Sequence, residues 1–303
     1  MAEYLVIDAH VHTHQSREVG LQAKQGSDRT DYAGTLDELL PVMKRAGISK
    51  AVMVNVLPVP NMRDAAIARL PKELPEAERQ EALKEIDDRM LDRLERRNSW
   101  TCSLTKENPN LVPLINLDPL MDEGTMTAEI LDKINNQGAK GIKLHPSIQH
   151  FFPNDRRLWP AYQTAQQLGL PIICHSGTFD TPIQYAEPNN FIEVLDSFPG
   201  LTLVMAHLGM GFFDEAISLA STYPDLRFDC CAVISNTEAE GGLSDADLTA
   251  LIKKIGVERV MFGSDFPWYD PAIAMERLLR LDFSEQEKRL LLGENAIRTY
   301  KLS

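Results

Sequence analysis

Cysteine is scarce in this sequence of 303 residues. Its four cysteines form no C-x-x-C motif and are too few for a disulfide framework in a chain of this length. The N-terminal residues also lack the basic and apolar regions of a secretory leader. We therefore expect a cytoplasmic protein with reduced cysteines at Cys102, Cys174, Cys230 and Cys231.

Basic side chains are also in short supply. The sequence has 31 lysines and arginines against 44 aspartates and glutamates, so its formal net charge is -13. Such a charge repels nucleic acids. No stretch reaches the roughly 18 apolar residues that are needed to cross a membrane. We therefore expect a small-molecule ligand, with neither nucleic acid nor membrane as a partner, and leave a homo-oligomer open.

Apolar residues are plentiful, at 44% of the sequence, which is enough for a continuous core. They recur in eight short runs separated by helical patterns, as in a parallel sheet covered by helices. This alternation favours a closed α/β fold, a (β/α)8 TIM barrel over residues 1–303 as a single domain, with an open doubly wound sheet as the alternative. The predicted strands are residues 4–8, 50–56, 111–116, 140–144, 171–174, 201–206, 226–230 and 259–262.

Two helices have recognisable first turns. Thr35 and Glu38 form a capping box, and Gly47 is the expected C-cap of the helix that follows. Ser284 and Glu287 form a second capping box. The second box predicts a C-terminal helix over residues 284–300 that packs against the barrel.

Residues 57–110 do not fit the repeating unit. They include a charged helix predicted over residues 75–97, and they are too long for an ordinary connection between a strand and a helix. Connections that follow barrel strands open onto the catalytic face, so this insertion is expected to cover the barrel mouth. A solvated surface helix without contact to substrate is the alternative.

The seven histidines carry most of the functional information. Side chains at the C-terminal ends of barrel strands converge on one mouth. Residues i and i+2 of a strand point to the same side, so His10 and His12 can bind one ion together. Imidazole nitrogens suit zinc and other first-row metals. The histidines that follow predicted strands are His10, His12, His145, His175 and His207.

A carboxylate also follows the eighth predicted strand. Asp265 is the single acid in the segment Gly263-Ser264-Asp265-Phe266-Pro267. It is either an added metal ligand or the cap of the next helix. His14 and His150 lie away from strand ends and are interpreted as structural residues bonded to carbonyl groups.

Five motifs in this order resemble the amidohydrolase-related family, the branch of the amidohydrolase superfamily that includes aminocarboxymuconate-semialdehyde decarboxylase and many metal-dependent hydrolases. The resemblance covers nearly the whole chain, leaves residues 57–110 unassigned, and extends to a closing motif similar to Gly293-Glu294-Asn295-Ala296. The motifs are Ile7-Asp8-Ala9-His10-Val11-His12, Gly141-Ile142-Lys143-Leu144-His145-Pro146, Cys174-His175-Ser176-Gly177, Ala206-His207-Leu208-Gly209 and Gly263-Ser264-Asp265-Phe266-Pro267.

The resemblance implies one divalent metal ion at the C-terminal mouth of the barrel. Zinc is the first candidate, with Mn²⁺ or another first-row metal as the alternative. It also implies that His207 lies beside the open coordination position as a polarising or proton-transfer residue. Distant members of the superfamily hold a second metal on a carboxylated lysine, which Lys143 could provide, whereas an ion pair with a strand-end acid is the simpler interpretation of Lys143. The implied ligands are His10, His12, His175 and Asp265.

These residues predict an enzyme. Our first interpretation is a hydrolase that activates a zinc-bound water to cleave an amide, ester or lactone, with Asp265 accepting the proton of the water and His207 stabilising the oxyanion. The alternative is a decarboxylase of a small aromatic or unsaturated carboxylic acid, and the third is a barrel that binds metal without catalysis.

Substrate contacts are the least defined part of the prediction. Lys143 and His145 share a strand face, so both are candidates. A decarboxylase also needs a cation for the substrate carboxylate, and Arg17 is the first candidate for that role. Further mouth-side arginines are Arg63, Arg156 and Arg157. Cys230 and Cys231 are interpreted as buried packing residues.

Overall fold

The computed structural model describes residues 4–24 and 27–302. Residues 1–3 lie outside this part, and the expectation of no secretory leader rests partly on them. The described chain forms a barrel of parallel strands, which confirms the predicted fold class. The third barrel strand is split in two. The strands are β1 (Ile7–Val11), β2 (Lys50–Met53), β3 (Leu111–Pro113), β4 (Ile115–Asn116), β5 (Ile142–Leu144), β6 (Ile172–Cys174), β7 (Leu203–Met205), β8 (Arg227–Asp229) and β9 (Val260–Met261).

Backbone hydrogen bonds close the barrel. The ladders run in the orders β1-β2-β3 and β4-β5-β6-β7-β8-β9, all parallel. Around Leu114 the two halves join, because Leu114 N donates to Met53 O at 3.1 Å and Ile115 N to Gly141 O at 3.0 Å. At the other junction Ala9 N donates to Phe262 O at 2.9 Å. The eight strand positions of the prediction are therefore present, although β1 begins later than predicted and contains His10.

Helices separate the strands, and both predicted capping boxes are present. Thr35 N donates to Glu38 Oε2 at 3.2 Å, and Gly47 ends that helix with φ at 69°. Ser284 N donates to Glu287 Oε2 at 2.7 Å. The α-helices are α1 (Arg17–Ala23), α2 (Leu36–Ala46), α3 (Val59–Ile67), α4 (Glu76–Ser103), α5 (Glu123–Gln137), α6 (Pro146–Gln149), α7 (Trp159–Leu168), α8 (Ile192–Ser197), α9 (Phe213–Thr222), α10 (Asp245–Ile255), α11 (Pro271–Arg280), α12 (Glu285–Arg289) and α13 (Asn295–Tyr300). None of the helices in the described part of the chain is long and apolar enough to span a membrane.

The strands bury apolar side chains on both faces, which explains their continuous hydrophobic runs. Outward side chains such as Met205 and Phe228 belong to the large layer between sheet and helices. Inward side chains such as Val52, Ile173 and Val204 form a separate cluster inside the barrel. Alternation along each strand therefore separates the interior from the outer layer.

The C-terminal segment closes the bottom of the barrel. A short π-helix, Leu290–Glu294, joins α12 to α13, so residues 285–300 are continuously helical. Ala296 and Tyr300 are each 1% exposed and belong to the interior cluster. Asn295 Nδ2 donates to the carbonyls of Val257 and Val260 at 2.8 and 2.7 Å. These bonds fix the C-terminal segment against the start of β9.

Helix α4 ends six residues later than predicted, because the sequence pattern of charged residues ends before the helix does. Its last turns carry buried polar side chains: Asn98 Nδ2 donates to Asn116 O at 2.9 Å. Asn55 Nδ2 donates to Thr101 Oγ1 at 2.9 Å. Leu94 belongs to the outer apolar layer. The segment 57–110 therefore supplies an ordinary barrel helix at its end, preceded by α3 and the first turns of α4.

Candidate metal centre

A bulge in β1 sets the direction of the first two histidines. The pairing with β2 shifts register between Asp8 and Val11. Ala9 belongs to the interior cluster whereas Val11 belongs to the outer layer, so strict alternation is broken between them. His10 and His12 then lie side by side, with ring centroids 5.2 Å apart. Bulges of this kind commonly re-aim a side chain next to an active site.

Asp265, which follows β9, lies beside these two histidines because β9 and β1 are neighbours where the barrel closes. Its Oδ1 lies 3.4 Å from His12 Nε2 and 3.7 Å from His10 Nε2. Its φ of 65° is left-handed, and its backbone N donates to His10 O at 2.9 Å. The three ligand atoms lie within 4.8 Å of one another. A non-glycine residue held in this conformation at a polar cluster is typical of functional sites.

His175 and His145 extend the cluster from β6 and β5. Their rings stack with centroids 4.1 Å apart and an interplanar angle of 7°. Ile148 N donates to His145 Nδ1 at 3.3 Å, at the start of α6. In contrast, neither ring nitrogen of buried His175 has a hydrogen-bond partner among the described residues. A buried imidazole without partners is costly, and a metal ion would satisfy it.

His207 completes the ring of imidazoles. It follows β7 with a left-handed φ of 60°, and its centroid is 4.7 Å from that of His175 and 5.2 Å from that of His10. Its Nδ1 lies 3.1 Å from Cys231 Sγ and 3.3 Å from Cys231 O. A contact from Nδ1–H to this carbonyl leaves Nε2 as the nitrogen available for chemistry.

Asp229, at the end of β8, accepts hydrogen bonds from two residues of this ring of imidazoles. His10 Nδ1 donates to its Oδ2 at 2.8 Å, and the backbone N of His207 donates to its Oδ1 at 2.9 Å. The first contact leaves the lone pair of His10 Nε2 directed to the cluster, as a metal ligand requires. Burial alone would raise the pKa of Asp229, but the contacts with His10 hold it below its usual range.

Lys143 lies fully buried in the same cluster, with Nζ 3.5 Å from His10 Nε2. No carboxylate oxygen of residues 4–24 or 27–302 lies within 4.0 Å of it, so the ion pair that we considered is not formed there. Burial lowers the pKa of its amino group.

Burial also sets the protonation of the imidazoles. It lowers the pKa of His10 to about 3, and it lowers that of His12, His145 and His175 as well. Burial would raise the pKa of Asp265, but its contact with His12 and the nearby histidines hold it low. At neutral pH the implied ligands His10, His12, His175 and Asp265 are therefore three neutral imidazoles and one carboxylate, the form in which these groups bind metals. These donors fit a divalent first-row ion.

The structure does not bring Arg17 to this cluster. Its Nη1 donates to Glu38 Oε1 at 2.8 Å at an exposed position on the first turn of α1. The other mouth-side arginines considered from the sequence are paired as well, with Asp87, Glu193 and Asp155. Because each guanidinium already has a carboxylate partner, none is a ready site for a substrate anion.

Cys231 departs from its predicted packing role. Cys230 packs in the outer layer, whereas Cys231 Sγ contacts both His207 and Asp229 Oδ1, the latter at 2.8 Å. His10, His207 and Cys231 form a second group whose ligand atoms lie within 4.8 Å of one another. Asp229 and Cys231 lie at the end of β8, and alternation along that strand was the signal that could have assigned them to the mouth.

Comparisons with known proteins identify the family of this chain. A family model described as Amidohydrolase matches residues 7–302. The chain is also similar to 2-amino-3-carboxymuconate-6-semialdehyde decarboxylase from Dictyostelium discoideum, with 23% identity over 237 residues. That match covers 68% of this chain and 66% of the relative, slightly under two thirds of its length.

Solved structures show the same fold. An uncharacterized TIM-barrel protein from Bordetella bronchiseptica superposes with a TM-score of 0.73 at 19% identity, covering 98% of both chains. A dihydroxybenzoic acid decarboxylase from Polaromonas sp. JS666, which contains manganese and the inhibitor 2-nitroresorcinol, superposes with a TM-score of 0.71 at 14% identity. That superposition covers 99% of this chain and 97% of the other.

Proposed function

This chain belongs to the amidohydrolase family, and from that premise we propose that it is a metal-dependent decarboxylase of a small aromatic or unsaturated carboxylic acid. The named relatives support the decarboxylase over the hydrolase, because both the Dictyostelium protein and the Polaromonas protein are decarboxylases. Neither identity is high enough to carry a substrate over, so the proposal depends on the site itself.

The proposal rests on two aromatic rings that contact the histidine cluster, those of Phe179 and Trp268. The Phe179 ring meets the rings of His145 and His175 edge-on, with centroids 5.2 and 5.4 Å apart. Across the mouth the Trp268 ring meets His12 edge-on at 5.0 Å. Aromatic side chains favour offset or edge contacts with other rings. A flat unsaturated acid could therefore lie between these rings with its carboxylate on the cluster.

We propose that His10, His12, His175 and Asp265 hold one divalent ion. Zinc is our first candidate for this imidazole-rich set, and manganese, which the Polaromonas relative contains, is the alternative. When bound, such an ion would supply positive charge to orient the substrate carboxylate and a neighbouring oxygen. His145 and Lys143, which border the same space, are proposed to contact the substrate.

His207 is the proposed proton donor. Asp265 is a poor acid here because its pKa is held low, whereas His207 has Nε2 available and is oriented through Nδ1 by Cys231. When the bond from carbon to carboxylate breaks, its electron pair remains on the carbon and carbon dioxide leaves. His207, protonated on both ring nitrogens with Nδ1–H bonded to Cys231 O, gives that carbon the proton on Nε2, and water then returns a proton to Nε2.

The test is a substrate panel on protein of known metal content. Hydroxybenzoic acids and unsaturated dicarboxylic acids are assayed for carbon dioxide release, and esters, lactones and amides are assayed for hydrolysis. We expect metal-dependent carbon dioxide release that a chelator abolishes. Hydrolysis without carbon dioxide release would return the hydrolase interpretation, and metal binding without any turnover would favour the non-catalytic barrel.

A further inference from the structure

The Nδ1 atoms of two histidines at the mouth make opposite kinds of hydrogen bond. His10 Nδ1 lies 2.8 Å from a carboxylate oxygen of Asp229, so this nitrogen donates and Nε2 keeps its lone pair. His145 Nδ1 instead accepts a hydrogen bond from the backbone N of Ile148, at 3.3 Å. A nitrogen can accept a hydrogen bond only through a lone pair. The His145 ring is therefore neutral, and its proton is on Nε2.

The fold holds His145 in this tautomer. His145 follows β5 and is the N-cap of α6, and Ile148 is the third residue of that helix. A side chain at the N-cap accepts a hydrogen bond from the backbone N–H of the second or third helical residue. The ring is also stacked on that of His175, with an interplanar angle of 7°, and the residue is 6% exposed. These contacts leave the ring little freedom to turn Nδ1 away from Ile148.

The Nε2–H group of His145 has no acceptor within the protein. Among residues 4–24 and 27–302 the ring makes its one hydrogen bond through Nδ1. The two nitrogens of an imidazole point in divergent directions, so Nε2 points away from α6. The ring also meets that of Phe179 edge-on, beside the space that we propose for the substrate. A donor in a largely buried site is costly to leave unpaired, and a substrate oxygen would pair it.

We propose that His145 donates a hydrogen bond from Nε2–H to the substrate oxygen on which negative charge develops during the reaction. This inference rests on the proposed function and deepens it, because it gives the contact at His145 a direction. The substrate must present an acceptor oxygen to this ring. A neutral donor stabilises the developing charge without giving up its proton, as the groups of an oxyanion hole do. His145 thus differs in task from His207, which transfers a proton.

The tautomer can be observed directly by NMR. Protein labelled with ¹⁵N at histidine is studied at neutral pH, both metal-free and loaded with zinc, because nitrogen chemical shifts separate protonated from unprotonated ring nitrogens. The signals of His145 are assigned by their loss in His145→Asn. We expect an unprotonated Nδ1 and a protonated Nε2 in both forms. A proton on Nδ1, or on both nitrogens, would overturn the proposal.

Two variants separate the two nitrogens of the ring. His145→Asn keeps an oxygen that can cap α6 but does not reach the position of Nε2, whereas His145→Gln places an amide N–H near that position and loses the cap. The probe is benzohydroxamate, a flat molecule that binds metal ions through two oxygens. Its dissociation constant is measured by calorimetry on zinc-loaded protein. We expect His145→Asn to weaken binding by about tenfold or more, as for a hydrogen bond to a charged acceptor, and His145→Gln by less than about threefold.

Thermal stability should follow the cap instead of the donor. His145→Gln should lower the melting temperature by about 2 °C, whereas His145→Asn should keep it. Both variants should retain zinc, as should the control His150→Asn, at an exposed histidine, which should also keep the affinity for the probe. Affinity that is unchanged in His145→Asn, or that falls only in His145→Gln, would make His145 a structural cap. Loss of zinc in His145→Asn would make it a ligand.

Turnover adds a test that is separate from the proposed reaction. For any acid of the panel that releases carbon dioxide, His145→Asn should lower kcat by about 10²–10³, as for removal of one donor of an oxyanion hole. An unchanged kcat in that variant would overturn the proposal. If the wild type releases no carbon dioxide from any acid while binding of benzohydroxamate still depends on the donor at His145, the donor stands and the decarboxylase does not.

Discussion

The interior of the barrel is apolar at its floor and polar at its mouth, although the same strands line both ends. At the floor Tyr300 and Ala296 pack against Val52, Ile173 and Val204. At the mouth the inward positions are instead taken by Lys143, His175 and Asp229, all at most 4% exposed. In barrel enzymes the floor serves stability and the mouth serves chemistry.

The buried polar residues at the mouth cost stability, whereas the apolar residues at the floor do not. The floor gains stability from burying apolar area. At the mouth, desolvation lowers the pKa of His175 and of Lys143, and neither ring nitrogen of His175 has a hydrogen-bond partner among the described residues. Mutations at the mouth should therefore change metal binding and turnover at little cost in stability, whereas mutations at the floor should do the reverse.

The largest effect is expected from removing a ligand at the mouth. His175→Ala should lower both metal affinity and turnover. Loss of a residue that only hydrogen-bonds to a metal ligand costs roughly 10- to 100-fold in metal affinity, and we expect a larger loss here because a ligand itself is removed. Metal content by plasma emission spectrometry and steady-state rates are the measurements. His150→Ala, at an exposed histidine, is the matched control and should retain both. Full occupancy in His175→Ala would remove that residue from the ligand set.

The next effect is at the floor. Tyr300→Ala should lower the free energy of unfolding by about 3–5 kcal/mol, the range for large aromatic residues in cores, while the folded fraction keeps its metal and turnover. Urea denaturation measures the change. Tyr300→Phe is the control: the hydroxyl has no partner among the described residues, so removing it should be neutral or stabilising. Loss of metal in Tyr300→Ala would show that the two ends are coupled.

A smaller effect is expected at His207. His207→Asn should lower kcat by about 10² while most of the metal is retained, as for loss of a general acid or an oxyanion donor. Metal content and kcat are compared in the same preparations. If both fall in parallel, His207 is a ligand rather than the proton donor.

The smallest effects should separate two adjacent cysteines. Cys231→Ser keeps a hydrogen-bonding group beside His207, so kcat should change by less than about tenfold, with unfolding unaffected. Cys230→Ser places a hydroxyl in the outer apolar layer and should cost about 1–3 kcal/mol of stability without changing kcat. The same two assays apply. If Cys231→Ser lowered stability and Cys230→Ser lowered kcat instead, the orientation of β8 would be wrong.

Much of the fold was predictable because local patterns repeat. Eight apolar runs, two capping boxes and Gly47 predicted all eight strand positions, two helix starts and one helix end, although β1 begins three residues later than predicted. The end of α4 was predicted too early, since Asn98 and Thr101 are polar in sequence and their burial depends on Asn116 and Asn55. The register shift in β1 was also missed, because it follows from pairing with β2.

The candidate site was predictable where strand ends carry histidine. His10, His12, His175, His207 and Asp265 are brought together as the sequence led us to expect. Arg17 is not, because Glu38 in the neighbouring helix is the nearer partner. The burial of Arg97 in α4 was not predicted either, since a cation in a charged helix looks like any solvated residue until its tertiary contacts are known.

By itself the sequence determined the alternation of strands and helices and the positions of histidines along it, because periodicity and strand ends are local properties. Only the tertiary structure decided which charges are paired. Arg17 and Arg97 both stand among charged and polar neighbours in the sequence, yet Arg17 is exposed against Glu38, whereas Arg97 is buried and has no carboxylate partner among residues 4–24 and 27–302. Pairing and desolvation depend on residues distant in the chain, and those two quantities set both the cost of a charge and what it can bind.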